Sequence, residues 1–177
     1  MNKDRCFMLT LVVGLTLWIG QTFADQNASF LLPSGVRVAI IEGAFNKALF
    51  KISGCNGLDQ VCLINGHIPF GNDSDLPKTY IKNITVSYQG QSYLLDASDM
   101  YNAWGARPLE VKGVTRYFGG KCFDSKNCQL RGVFSDAAGS FVAEWRIVGG
   151  VSVRTVLTNS NDVVKLFMQH IDPPEFN

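Results

Sequence analysis

The chain has 177 residues and almost no net charge, and these properties argue against several classes of protein. Its 16 Lys and Arg residues are balanced by 15 Asp and Glu residues, which gives a formal net charge of +1 at pH 7. Proteins that bind nucleic acid or anionic lipid carry a basic patch, and no run of one charge sign occurs along this chain. We therefore expect neither nucleic acid nor a charged membrane surface as a partner.

The first 24 residues have the pattern of a secretory signal peptide. The start MNKDR precedes an apolar run from Cys6 to Gly20, and the small residue Ala24 stands at the expected cleavage point. A membrane span needs about 20 apolar residues, so the run is short for an anchor, although an uncleaved anchor remains the alternative. We expect residues 25–177 to form one domain without a membrane span, in the periplasm or outside the cell.

Four cysteines remain after such a cleavage. An even number of cysteines in an exported chain predicts disulfides, and each close pair here closes a short local loop. We therefore predict Cys55–Cys62 and Cys122–Cys128, while the two other connectivities stay open. Zinc is less favoured, because thiolate ligands usually occur as C-x2-4-C pairs, and we expect neither a metal nor a cofactor.

Most of the chain is predicted to form β-strands, because segments rich in β-branched residues alternate with turn-forming residues. Residues 25–33 have the character of a loose lead-in, and a long irregular segment at 54–78 contains the first Cys pair. Gly119-Gly120 is predicted to be a turn. The predicted strands are 36–41, 48–52, 80–88, 92–96, 109–118, 128–134 and the two arms of a hairpin over 140–157.

The pairing of the first predicted hairpin follows from its alternation. A turn at Gln89-Gly90 places Val86 opposite Tyr93 and Ile84 opposite Leu95, so that the apolar side chains share one face.

The hairpin over 140–157 admits two registers. A two-residue loop, Gly149-Gly150, would place Trp145 opposite Arg154 and leave both faces half apolar. A three-residue loop beginning at Val148 places Trp145 opposite Val153 and gathers the bulky side chains on one face. We predict the three-residue loop, with Trp145 in the core and Arg154 beside Glu144.

Near the C terminus the apolar period changes from two to 3.6 residues, which predicts one amphipathic helix. Asn159 or Ser160 is its expected N-cap. The predicted fold class is therefore mostly β (α+β): an antiparallel β-sandwich or curled sheet of about eight strands, with the helix packed on it. The predicted apolar stripe of the helix consists of Val163, Leu166, Phe167, His170 and Ile171.

Residues able to carry catalysis are few. The histidines are His67 and His170, and the sequence contains no G-x-S-x-G, H-E-x-x-H or C-x-x-C motif. Asp96, Asp99 and Asp136 follow predicted strands, and two of them about 5–9.5 Å apart would suit glycoside hydrolysis. Aspartate at a strand end is, however, usually a turn former.

The segment from Asp99 to Pro108 is the hardest to explain by packing alone. Tyr101, Trp104 and Arg107 lie on a predicted loop, and aromatic residues beside arginine are typical of binding hot spots. The alternative is that the aromatic residues close one end of the sandwich.

These observations favour an exported, non-enzymatic binding protein. Its expected partner is another protein of the cell envelope or a secreted toxin, so that the chain acts as an inhibitor or an immunity-type protein by steric blocking. Two alternatives remain. One is a carboxylate-dependent hydrolase acting on glycans, and the other is a glycan-binding module in which Tyr101 and Trp104 form a flat platform.

Overall fold

The computed structural model describes residues 25–55, 62–72, 76–104, 118–135 and 139–173. The predicted signal peptide (1–24), most of the strand predicted at 109–118, Arg107 and Asp136 lie outside the described residues. Within the described ranges, no helix is both long and apolar enough to cross a membrane.

The described residues form ten strands in three antiparallel sheets. The strands are β1 (Gln26–Leu31), β2 (Arg37–Ala44), β3 (Ile52–Ser53), β4 (Leu63–Ile64), β5 (Thr79–Tyr88), β6 (Gln91–Leu95), β7 (Phe118–Asp124), β8 (Asn127–Phe134), β9 (Phe141–Val148) and β10 (Val151–Thr158). One four-stranded sheet has the order β1-β2-β5-β6, the other has the order β10-β9-β8-β7, and β3 pairs with β4. The fold class predicted from the sequence, mostly β with one C-terminal helix, is confirmed.

The main hydrophobic core lies between the two four-stranded sheets, as in a β-sandwich. Ile40 and Val86 of the first sheet are buried in the same cluster as Phe134, Phe141 and Trp145 of the second. Phe134 stacks on Phe141 with 5.2 Å between ring centroids, and its edge meets Trp145 at 6.2 Å. Burying each such side chain contributes about 1.5–3 kcal/mol. The prediction that Trp145 is a core residue is confirmed.

The segment predicted to be a loose lead-in forms the edge strand β1, so that prediction is wrong. Ala28 and Phe30 are buried, while Asn27, Ser29 and Leu31 are exposed. This alternation has the period of a strand, and the whole segment pairs antiparallel with β2.

The prediction of a strand at 48–52 is also wrong for most of these residues. The side chain of Asn46 accepts a hydrogen bond from the amide of Ala48 (3.0 Å), and a 3-10 turn follows at Lys47–Leu49. Such side-chain to backbone bonds compete with the hydrogen bonds of a sheet. The remaining strand is the two-residue β3.

The hairpin of β5 and β6 has the predicted register. Ile84 pairs with Leu95 and Val86 with Tyr93. Gln89 and Gly90 both have positive φ, 46° and 79°, as a two-residue hairpin turn with right-handed strand twist requires.

The hairpin of β9 and β10 has the two-residue loop rather than the predicted three-residue loop. Trp145 pairs with Arg154, and a bulge follows between Arg154 and Val156. The prediction fails because it assumed that one face of β9 is solvated. β9 is instead covered on both faces, by the core and by the helix, so Val142 and Glu144 are buried as well as Trp145.

Both predicted disulfides, Cys55–Cys62 and Cys122–Cys128, are present. Two disulfides indicate an oxidising compartment outside the cytoplasm.

The predicted turn at Gly119-Gly120 is wrong, because both glycines lie within β7. The backbone carbonyl of Ile171 passes directly over Gly119, where a Cβ atom would clash with it.

One helix, α1 (Asn161–Gln169), packs on the outer face of the second sheet. Val164 and Phe167 are its buried residues, and they contact Val133 and Val142. Leu166 and His170 are exposed, so the predicted apolar stripe is only partly correct.

An ion pair supports the contact between the helix and the second sheet. Nε of Arg131 lies 2.7 Å from Oε2 of Glu144, and both side chains are largely buried. The Arg131 guanidinium also lies 4.8 Å from the ring centroid of Phe167. This pair joins β8, β9 and α1.

Candidate functional site

A groove opens on the surface where two different segments lie beside β5. β6 pairs with β5 from Ile84 onward. Earlier on β5, Tyr80 bridges to Tyr101, and the amide of Ile81 donates to the carbonyl of Met100 (3.0 Å). The connection between these neighbours, residues 96–99, contributes to a cavity of about 420 Å³. This volume falls within the range of about 300–1,000 Å³ that is usual for binding sites.

Three aromatic rings and a leucine form the apolar wall of the groove. The ring of Phe50 meets that of Tyr80 edge-on, with 5.2 Å between centroids, and lies 6.2 Å from that of Tyr101. Tyr101 is 4% exposed, whereas Leu94 is 63% exposed. The rings restrain one another, and Leu94 presents aliphatic surface to a ligand.

Asp96 stands on the polar side of the groove and is held in its ionised form. Its carboxylate accepts hydrogen bonds from the amide (3.0 Å) and the hydroxyl of Ser98 and lies 3.3 Å from Arg154. Burial acts to raise the pKa of Asp96, but the Ser98 hydrogen bonds and the Arg154 charge outweigh it and lower the pKa. Half of the side chain remains exposed, so this charge is available to a ligand.

Asp99 lines the same groove and binds His67. Nδ1 of His67 is 3.2 and 3.1 Å from the two carboxylate oxygens. The backbone of Asp99 has φ of 64°, in the left-handed region that aspartate tolerates better than most residues. Burial, and then the charge of Asp99, raise the pKa of Tyr101 to about 12. Tyr101 is therefore a neutral phenol at physiological pH.

Lys82 also lines the groove, but its charge is already paired. Its ammonium donates to both carboxylate oxygens of Asp25, at 2.7 and 2.9 Å. The hydrogen bond to Asp25 is the main cause that raises the pKa of Lys82. The ammonium therefore stays charged and remains bonded to Asp25.

The structure describes two of the three predicted binding residues, and these two have different surroundings. Tyr101 lines the groove. Trp104 packs partly buried on the core, with its ring edge-on to Phe134 at 6.1 Å. Arg107 lies outside the described residues.

Of the three candidate carboxylates, two belong to the same groove. Asp96 and Asp99 both line it, and Asp136 lies outside the described residues. The hydroxyl of Ser98 donates to Asp96 rather than to His67, so this serine is not arranged as a nucleophile for the histidine. In the described part of the chain, no group of three or more His, Cys, Asp or Glu side chains is placed to hold a metal ion.

The groove also contains residues that the sequence analysis did not select. Phe50 and Tyr80 belong to separate predicted strands, and their contact depends on the tertiary fold. The pairing of His67 with Asp99 spans 32 residues. Local pattern carries no signal for either contact.

Comparison with known proteins identifies no relative: no family model, no curated protein and no solved structure matches this chain. The groove in a disulfide-bonded sandwich is therefore the basis for assigning a function.

Proposed function

We propose that this protein is exported to the periplasm or the cell exterior, where it binds another protein without catalysing a reaction. Its partner is an envelope hydrolase or a secreted toxin, so the chain acts as an inhibitor or an immunity-type protein. The surface around the groove blocks the partner sterically. Tyr101 lines the groove but is 4% exposed, so we assign it to the support behind this surface, and the roles of Trp104 and Arg107 stay predictions.

The observation that carries this proposal is the restraint of the charged groups in the groove. Asp96 is bonded to Ser98 and Arg154, Asp99 to His67, and Lys82 to Asp25. Groups fixed before binding lose little entropy when a partner arrives. A rigid polar rim beside an exposed Leu94 is the arrangement expected of a protein-binding surface.

A second candidate is an activity on glycans, because Asp96 and Asp99 line one groove with aromatic rings. A glycosidase needs one protonated carboxyl group as its general acid. The lowered pKa of Asp96 makes this residue unsuited to the role of general acid. The glycan-binding module was predicted to use a flat platform of Tyr101 and Trp104, and Tyr101 is almost fully buried. Protein binding is therefore the first choice.

Capture from an envelope extract tests the proposal with a matched pair of variants. Leu94 and Leu31 are exposed leucines on β6 and β1, the two edge strands of the first sheet. Leu94→Arg should reduce retention of a specific partner at least about tenfold, equivalent to the roughly 1.4 kcal/mol of one buried contact. Leu31→Arg should leave it unchanged.

The captured protein is then assayed for hydrolytic or toxic activity with and without the purified chain. Inhibition by the wild type and its loss in Leu94→Arg support the proposal. Equal retention by both variants contradicts it. Hydrolysis of a glycan by the purified chain, abolished by Asp96→Asn, would establish the second candidate instead.

A further inference from the structure

We propose that the groove binds a basic side chain, in the first place arginine, presented by the protein partner. This role rests on the proposed function, because it names the chemical group by which that partner is recognised. The groove itself supplies three features that a guanidinium requires: negative charge, aromatic rings and aliphatic surface.

The negative charge comes from two carboxylates with few competing cations. Asp25, Asp96 and Asp99 are opposed by Lys82 and Arg154, which leaves one negative charge in excess when His67 is neutral. Lys82 is bonded to Asp25 and does not neutralise the other two carboxylates. An incoming cation would therefore find favourable charge, and a phosphate or carboxylate would be repelled.

Arg154 lies close to Asp96, but its geometry leaves the carboxylate accessible. One nitrogen of the guanidinium donates to the carbonyl of Ser98 (2.6 Å), and the other lies 3.3 Å from Asp96. The Arg154 side chain is 14% exposed, whereas that of Asp96 is 50% exposed. The open side of Asp96 can accept a second guanidinium with charge-assisted hydrogen bonds.

The aromatic wall favours a cation over a neutral group of the same shape. The planes of Phe50 and Tyr80 are inclined by 80°, and those of Phe50 and Tyr101 by 69°. Tyr101 is buried behind the other two rings, whereas Phe50 and Tyr80 are only partly buried. A guanidinium close to the face of either of these two rings would be attracted by its electron density. The methylene groups of the arginine would pack on Leu94, as aliphatic stems commonly do.

A pair of small probes separates charge from shape. N-acetyl-argininamide and N-acetyl-citrullinamide differ in the guanidinium, which is replaced by a neutral urea group. In an NMR titration of the full exported protein, the arginine probe should bind about tenfold more tightly or better, since a charge-assisted contact is worth about 1.4 kcal/mol or more. The shifted amides should include those of Tyr80 and Asp99.

Two matched variants locate the site. Asp99→Asn should weaken the arginine probe at least about fivefold, because the removal of one carboxylate charge abolishes the excess. Asp124→Asn changes an exposed carboxylate at the end of β7 that is bonded to Asn127, and it should leave binding unchanged.

Equal affinity for the two probes would overturn the assignment of a basic side chain, and so would tighter binding of a neutral sugar such as maltose. Neither result would affect the separate test of the proposed function, which is the loss of partner capture in Leu94→Arg. The converse result, arginine binding without a Leu94-dependent partner, would reject the proposed function but not the cation site. If Asp99→Asn fails to fold, the ratio of the affinities of the wild-type protein for the two probes still tests whether the groove binds a basic side chain.

Discussion

Glu42 is a buried carboxyl group whose contacts join the first sheet to the segment behind the groove. It is 4% exposed, and it accepts hydrogen bonds from the hydroxyl of Thr79 and the amide of Ala103. Burial raises the pKa of Glu42 more than these hydrogen bonds lower it. Its charge is therefore held in place at a cost to stability, while its oxygen atoms fix the end of the segment that contains Tyr101.

The sign of this effect predicts how stability depends on pH. Because the folded-state pKa of Glu42 lies above the unfolded value, the folded protein binds more protons between the two values. The free energy of unfolding therefore falls as the pH rises through that window, and the loss is complete above the folded-state pKa. Glu42→Gln should raise the Tm at pH 7.

The gain from Glu42→Gln should shrink as the pH falls from the folded-state pKa towards 4.5, and it should be absent below 4.5, where the carboxyl is mostly neutral in both states. Calorimetry of both proteins between pH 4 and pH 8 measures the difference. A gain that is independent of pH would mean that the charge of Glu42 is not its cause.

At the scale of elements, the two hairpins show what local pattern can predict. The register of β5 and β6 was predictable because Gln89-Gly90 fixes the turn and one face of the ribbon is polar. The register of β9 and β10 was not, because β9 is buried on both faces and apolar residues need not be sorted to one side. Arg154, whose charge is unsuited to an apolar face, is accommodated by Asp96 and Ser98 in the connection that follows β6.

The two-residue turn makes a prediction about its glycines. Gly149 has φ of 59° and Gly150 has φ of 88°, and a Cβ atom at Gly149 would meet nothing within 4 Å. Asparagine tolerates the left-handed region, so Gly149→Asn should change the free energy of unfolding by no more than about 0.5 kcal/mol. Gly150→Ala should cost about 1–2 kcal/mol.

Urea denaturation of the two turn variants gives these values directly. A cost well above about 0.5 kcal/mol for Gly149→Asn, or the absence of a cost for Gly150→Ala, would contradict the left-handed conformation of the glycine concerned.

At the scale of the whole molecule, the sandwich was predictable and the groove was not. Strand periodicity, the even cysteine count and the C-terminal helical period each depend on short stretches of sequence. The groove requires Tyr80 to meet Tyr101 across the end of a sheet, and His67 to reach Asp99. Contacts of this kind follow from topology, which local patterns do not encode.

The two disulfides should differ in what they stabilise. Cys122–Cys128 joins β7 to β8, with Cys128 in the core. Cys55–Cys62 closes the small sheet of β3 and β4, between Phe50 and Asn65, which both line the groove. Loops this short stabilise by about 2 kcal/mol each. Replacing Cys122 and Cys128 by alanine should lower the global free energy of unfolding by at least that amount.

Replacing Cys55 and Cys62 by alanine should act mainly on the groove wall. Amide hydrogen exchange should accelerate at residues 62–65 while β8 and β9 stay protected, and partner capture should weaken. Acceleration throughout both large sheets would instead show that this disulfide supports the whole fold.

The tips of the two C-terminal hairpins are bonded to each other. The amide of Gly149 donates to the side chain of Asn127 (3.0 Å), and that of Gly150 donates to the carbonyl of Lys126 (2.9 Å). An inserted peptide or a fluorescent label at this tip would break the junction, even though hairpin tips usually accept both. The turn at Gln89-Gly90 is the better attachment point for a reporter of partner binding. The exposed Gln89 is the position to label, because Gly90 has φ of 79° and any side chain there would be strained.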